Sequence, residues 1–281
     1  MTALPCKSLS LQEKLDLLLA FVSISFVGAY SLLSGAFRGQ RDAPSLYLHI
    51  YYSILRKFAA RLTPRQLQWL SPTTEEVYEK WAKSVGEKPI TVDIYHDAKG
   101  HWIGSPTAKN VLIWYHGGGF ALPANIGYFK FWKTLVCETR CAEKDLAVFA
   151  VSYTLAPEAQ YPLQLRQSVE ALRYIIMKTR REPRQILLGG DSAGGNLVVG
   201  VLSHLAHKHA DIEGLKLDEP LAGTVAIAPW TNLTVDDSRV PPYHGGDIIT
   251  PQVGKVWSAN YLQEVVRDYY TDASNAPPEW F

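Results

Sequence analysis

The segment Gly190-Asp191-Ser192-Ala193-Gly194 places a hydroxyl between glycines two positions before it and two after it. It lies between Gln185 to Leu188, an apolar run that reads as a strand, and a run from Ala193 to about Lys208 that reads as a helix. So sharp a strand-to-helix turn strains the serine backbone, needs small neighbours, and leaves the hydroxyl exposed for attack. The positive end of the following helix then faces the point where charge grows as a hydroxyl adds to a carbonyl. Ser192 is the expected nucleophile of an acyl-transfer reaction, with Gly190, Asp191 and Gly194 shaping its turn. Adjacent side chains in a tight turn point apart, so Asp191 is not expected to orient a base.

The charge that develops in such a reaction needs at least two N–H donors fixed in advance. One comes from the residue after the nucleophile, here Ala193. The other is expected from His116-Gly117-Gly118-Gly119-Phe120, which leaves a strand ending at Tyr115, with Gly117 and Gly118 as donors and Gly119 as a shaping residue. A glycine-rich turn after a strand can also cradle phosphate. The chain has neither G-x-x-x-x-G-K-[ST] nor G-x-G-x-x-G, which disfavours that use.

These loops need a rigid frame. Ile90 to Tyr95 reads as a strand leading into an antiparallel turn, and Val111 to Tyr115, Leu146 to Tyr153 and Thr224 to Ile227 read as further strands. Helices are expected from Tyr128 to about Glu143 and from Pro162 to Arg180. Alternation of this kind predicts an α/β fold, a mostly parallel sheet with helices on both faces. The expected organisation is an N-terminal segment, 1–42, a helical cap or linker, 43–88, and a catalytic domain, 89–281.

HGGGF at 116–120, GDSAGGN at 190–196 and Tyr153-Thr154-Leu155-Ala156-Pro157-Glu158 followed by Tyr161-Pro162 together resemble the hormone-sensitive lipase-like family of α/β-hydrolases. The resemblance covers roughly Ile90 to Phe281, and the wording is most similar to fungal members. It implies a helical cap, hydrolysis of carboxylic esters with short or medium acyl chains, and no metal or organic cofactor. A small hydrophobic ester, such as an acetylated secondary metabolite, is the implied substrate. In the family pattern His116 shapes the glycine loop and is not the base. Glu158 is expected to anchor the loop through hydrogen bonds, with positioning of a water as its other reading.

A serine hydroxyl needs a base, and the base a carboxylate to orient it. The resemblance implies that both follow Ser192, beyond a stretch like that at Asp272 to Phe281. The final strands, the catalytic acid and the catalytic histidine are thus expected to be absent from this C-terminally shortened chain. His204, His207 and His209 lie on or past the helix that leads away from the serine, so His244 with Asp247 is the one stand-in pair. The competing expectation is a catalytically impaired relative that binds a small ligand or a protein.

Lys plus Arg number 28 against 27 Asp plus Glu, so no overall field would attract nucleic acid. Cys6, Cys137 and Cys141 form no metal-ligand pattern; the last two read as small apolar residues on one helix face. Leu17 to Phe37 carries no charge and just reaches the roughly twenty residues that cross a bilayer. It reads as an uncleaved single-pass membrane anchor, with the endoplasmic reticulum as the expected membrane, and Asn232-Leu233-Thr234 is a glycosylation sequon that counts only if the body faces a lumen. A cleaved signal peptide and a soluble helix are the other readings, giving a secreted or cytoplasmic protein. Ser45 to Leu62 sets Leu46, Ile50, Ile54 and Phe58 at helical spacing, either to lie on lipid or to cover the site.

Overall fold

A computed structural model describes residues 8–39, 43–233 and 249–280. Contacts divide the chain into two compact units, Met1–Ser71 with Thr234–Ala259, and Pro72–Leu233 with Asn260–Phe281.

In the first unit α1 (Leu11–Ser34) starts where Ser10 Oγ accepts the Glu13 N–H and the Glu13 carboxylate accepts the Ser10 N–H, a reciprocal cap. It is antiparallel to α2 (Leu46–Arg61). Leu17, Ala20, Ile24 and Ser31 of α1 are buried. The Asp16 carboxylate accepts from Arg61 (2.9 Å) and from Gln66 (3.0 Å) of α3 (Pro64–Leu70), tying the end of α2 and the start of α3 to the start of α1.

The second unit begins with α4 (Thr74–Ser84) and continues with β1 (Thr91–Asp93), β2 (Lys99–Ile103), β3 (Asn110–Tyr115), α5 (Ile126–Cys141), β4 (Leu146–Ser152), α6 (Leu163–Thr179), β5 (Ile186–Asp191), α7 (Ala193–Ala206) and β6 (Gly223–Ile227). A last helix, α8 (Pro251–Leu262), contributes its final turn to this unit. The sheet order is β1-β2-β4-β3-β5-β6, antiparallel at β1 and β2 and parallel elsewhere. The expected α/β architecture is present. Part of the expected cap behaves differently: Val77, Tyr78 and Trp81 of α4 pack into this unit's core, because α4 puts its apolar stripe against Phe129 and Trp132 of α5.

Alternation along β3 builds two cores. Val111, Ile113 and Tyr115 face Leu165, Val169 and Leu172 of α6 and Leu197 and Val201 of α7. Leu112 and Trp114 face the cluster made by α4 and α5. With both faces covered, β3 reads as an unbroken apolar run. At one sheet edge β6 leaves Val225 and Ile227 exposed. Cys137 and Cys141 share a face of α5 as expected, yet both are exposed, because Phe129, Trp132 and Val136 supply the face that the sheet buries.

Candidate active site

The register of the sheet assembles the site. Tyr115, the last residue of β3, pairs with Gly190 of β5, so the glycine loop and the serine turn leave the same end of neighbouring parallel strands. The chain passes from β3 to β4 on one side and then to β5 on the other, which opens a crevice at the carboxyl ends of the strands.

Ser192 has φ 51° and ψ −117°, a backbone state costly for a residue with a side chain. Its surroundings hold it there. The Ser192 N–H donates to the Ile227 carbonyl (2.9 Å), and its carbonyl accepts from the N–H groups of Trp230 (2.9 Å) and Asn196 (3.0 Å). Asn196 in turn donates to the Trp230 and Thr271 carbonyls, at 2.7 Å each, fixing the stretch after β6 against α7. A methyl group at Gly194 would collide with the Tyr115 and His116 carbonyls, so glycine there is a packing requirement.

Asp191 points into the glycine loop. Its carboxylate accepts from the Tyr128 hydroxyl (2.6 Å), the Gly117 N–H (3.1 Å) and the Trp114 indole (3.3 Å), while the Gly117 N–H also reaches the Tyr128 oxygen (3.0 Å). Burial, reinforced by the Asp191 charge, raises the Tyr128 pKa and keeps its hydroxyl a donor. This network corrects the expectation for Gly117. Its N–H is turned toward Asp191 and engaged, so it shapes the loop and is not available to a substrate oxygen. Gly118 (φ 112°) and Gly119 (φ 60°) carry the reversal of the chain, and among the described residues their N–H groups meet no acceptor. The Ala193 N–H opens α7, where no intrahelical acceptor exists for it.

His116 is buried, its ring stacked on Tyr153 (4.5 Å between centroids) and its Nδ1–H donating to the Gly117 carbonyl (2.8 Å). Burial lowers its pKa and favours the neutral ring. The Tyr153 hydroxyl donates to the His116 carbonyl (2.7 Å), and the Ala156 N–H to the Phe120 carbonyl (2.8 Å), so the third sequence motif braces the first. Glu158, expected to anchor this loop, is exposed, and among the described residues its side chain makes no hydrogen bond.

Sequence reasoning passed over three aromatic residues. Tyr128 bridges Gly117 and Asp191, and the Phe120 ring is stacked between Tyr261 (3.7 Å) and Trp230 (6.0 Å). Nothing in their local sequence marks Tyr261 or Trp230; the fold brings them in from the end of α8 and from the stretch after β6.

The histidines after Ser192 are occupied elsewhere. His204 bonds the Glu213 carbonyl (3.1 Å), His207 the Trp280 carbonyl (2.9 Å), and His209 lies 3.7 Å from Asp268. His244 and Asp247 lie outside the described residues, as does Cys6. Among the described residues the Ser192 hydroxyl makes no hydrogen bond, and no cluster of side chains could hold a metal ion.

A family model described as the alpha/beta hydrolase fold matches residues 112–278. Steryl acetyl hydrolase 1 of Saccharomyces cerevisiae is 34% identical over 133 residues, 46% of this chain and 28% of that protein. Arylacetamide deacetylase-like 2 of Homo sapiens is 32% identical over 145 residues, 50% of this chain and 33% of that protein. Carboxylic ester hydrolase LipN of Mycobacterium tuberculosis is 28% identical over 166 residues, 56% of this chain and 40% of that protein. The chain therefore spans less than half the length of each of these relatives. Among solved structures, the Francisella virulence factor BioJ superposes with a TM-score of 0.56 at 18% identity, covering 84% of this chain and 73% of that one. Carboxyl esterase 2 from the mycorrhizal fungus Tuber melanosporum superposes with a TM-score of 0.53 at 21% identity, covering 69% and 61%.

Proposed function

The chain belongs to the alpha/beta hydrolase fold family, and from that premise we propose that it is a serine-dependent carboxylic ester hydrolase whose substrate is the acetyl or short-acyl ester of a hydrophobic alcohol. The observation that carries this reading is the Ser192 turn, held at φ 51° directly beside the glycine loop. In this reading Ser192 Oγ adds to the ester carbonyl, the alcohol leaves with a proton, and water releases the acyl group. The N–H groups of Gly118, Gly119 and Ala193 receive the oxyanion, each contributing about 3 kcal/mol in the transition state. The printed names of the relatives, which include a steryl acetyl hydrolase and a deacetylase-like protein, favour a small acyl group. Attachment to a membrane through the apolar helix α1 would bring the site to water-insoluble esters.

The second reading is a site that binds without turnover, favoured by the commitment of His204, His207 and His209 to other partners. Labelling with a fluorophosphonate separates the two. For an esterase we expect covalent modification at Ser192, lost in Ser192→Ala, with hydrolysis of short-acyl aryl esters falling by about three orders of magnitude or more. Ligand binding that survives Ser192→Ala, with no labelling of the parent chain, sinks the hydrolase reading.

A further inference from the structure

Resting on the membrane attachment proposed above, we infer that α1 does not cross the bilayer: α1 and α2 form one hairpin that lies along a single leaflet, with its two ends and its bend on the same side.

Taken alone, α1 would suit a crossing. Its 24 residues extend about 36 Å, and no charge occurs from Leu17 to Phe37. It is not alone. Gly35 meets Leu46, Ser34 Oγ meets the His49 ring (3.3 Å), Gly28 faces Ile54, and Asp16 pairs with Arg61, so the pairing with α2 runs from one end to the other. Whatever depth α1 takes, α2 shares it.

That sharing decides the geometry. Arg56 and Lys57 lie between the Gly28–Ile54 contact and the Asp16–Arg61 pair, level with the middle of the uncharged stretch of α1. A crossing α1 would carry both cations to the centre of the hydrocarbon, where charge is strongly disfavoured. At 16 residues α2 is also shorter than the roughly 20 needed to return across. The bend is charged too, with the Arg38 guanidinium held on the Gly35 carbonyl.

Lying flat removes each conflict. The face of α1 turned away from α2 presents Leu15, Leu18, Val22, Phe26 and Leu33 in a continuous stripe, with Phe26 72% and Leu33 73% exposed. As a pair the helices have different sides, an exposed aliphatic stripe on α1 and, on α2, half-buried Arg56 and Lys57 with exposed Tyr47 and Tyr51, side chains that suit the headgroup boundary of an interfacial element. The occupant of the α1 face is the acyl boundary of one leaflet, with headgroup phosphates beside Arg56 and Lys57.

The full chain, with Cys6, Cys137 and Cys141 replaced by Ser, tests this when synthesised with sealed microsomes. Single cysteines are introduced by Ser8→Cys, Pro44→Cys and Thr63→Cys, before α1, at the bend and after α2. We expect retention after carbonate washing and identical reactivity of all three toward a membrane-impermeant maleimide, before or after detergent. A difference between Ser8→Cys and Thr63→Cys would restore a single crossing, and a Pro44→Cys that differs from both would mean a crossing pair; either overturns the inference. Complete loss of the chain on carbonate washing removes the membrane attachment itself, a separate outcome. In a second measurement, Phe26→Arg with Leu33→Arg lowers the liposome-bound fraction at least tenfold, and an unchanged fraction counts against the α1 face.

Discussion

Two apolar helices of this protein begin with serine, and the two serines do different work. Ser10 precedes α1 with φ −62°, ψ 163°, and its hydroxyl accepts the Glu13 N–H at 3.2 Å. Ser192 precedes α7 with φ 51°, ψ −117°, and its side chain makes no capping bond. The extended backbone turns the first hydroxyl back onto its own helix. The strained backbone of the second goes with a side chain that does not cap its helix, as the proposed reaction at Ser192 requires. The helices that follow differ as well. α7 is buried at Leu197, Val198 and Val201, whereas only 22% of the most apolar window of α1 is buried. Residue type at a helix start, and apolarity along a helix, acquire meaning from what the fold packs against them.

The largest expected effect separates the two helices. Leu197→Ala, at 1% exposure, removes side chain from a closed core and lowers stability to urea by about 2–5 kcal/mol. Leu19→Ala, at 65% exposure, changes stability in detergent by less than about 0.5 kcal/mol while weakening liposome binding. Equal losses at the two positions would break the comparison.

Next comes acid sensitivity, which belongs to the second unit. His101 is buried, bonded through Nδ1 to Thr91 (3.0 Å), and its pKa is lowered from 6.5 to about 4, first by burial and then by Lys99 and His116. The unfolded chain protonates this ring near 6.5 while the native chain resists until about 4, so the unfolded state binds more protons between these values. Its contribution is complete above pH 6.5 and is lost as pH falls toward 4. The lowered pKa values of His116 and His204 act in the same direction. Urea midpoints measured across this window should fall with pH, and His101→Phe should flatten the slope; an unchanged slope would remove His101 from the account.

The smallest effect tests the serines themselves. Ser10→Ala loses a cap and costs about 1 kcal/mol in thermal unfolding of the N-terminal unit. Ser192→Ala loses no cap, so its melting temperature should match the parent within error even as ester turnover disappears. A drop equal to that of Ser10→Ala would show that Ser192 also serves its helix.

Much of the site was legible because local chemistry wrote it. A glycine at 194 is demanded by carbonyls within van der Waals reach, and the unbroken apolar run from Val111 to Tyr115 is imposed by a strand covered on both faces. Those constraints act between near neighbours or repeat with the period of an element, so a single sequence displays them. Which glycine N–H faces a substrate was not legible. Gly117 looked like a donor until the fold brought Tyr128 and Asp191, the latter 74 residues away, to the same N–H. Glu158 was misjudged for the same reason: a loop position says nothing of its exposure.

By itself, then, the sequence determined the glycine-flanked serine turn, the glycine loop, the alternating β and α elements and the uncharged length of α1, all properties of residue type and spacing along one stretch of chain. The tertiary structure alone decided that Asp191 locks the loop, that Phe120 is stacked between Tyr261 and Trp230, and that Arg56 and Lys57 stand beside the middle of α1. Each of these joins residues distant in sequence, and such pairings follow from strand register and helix packing, which no local pattern encodes.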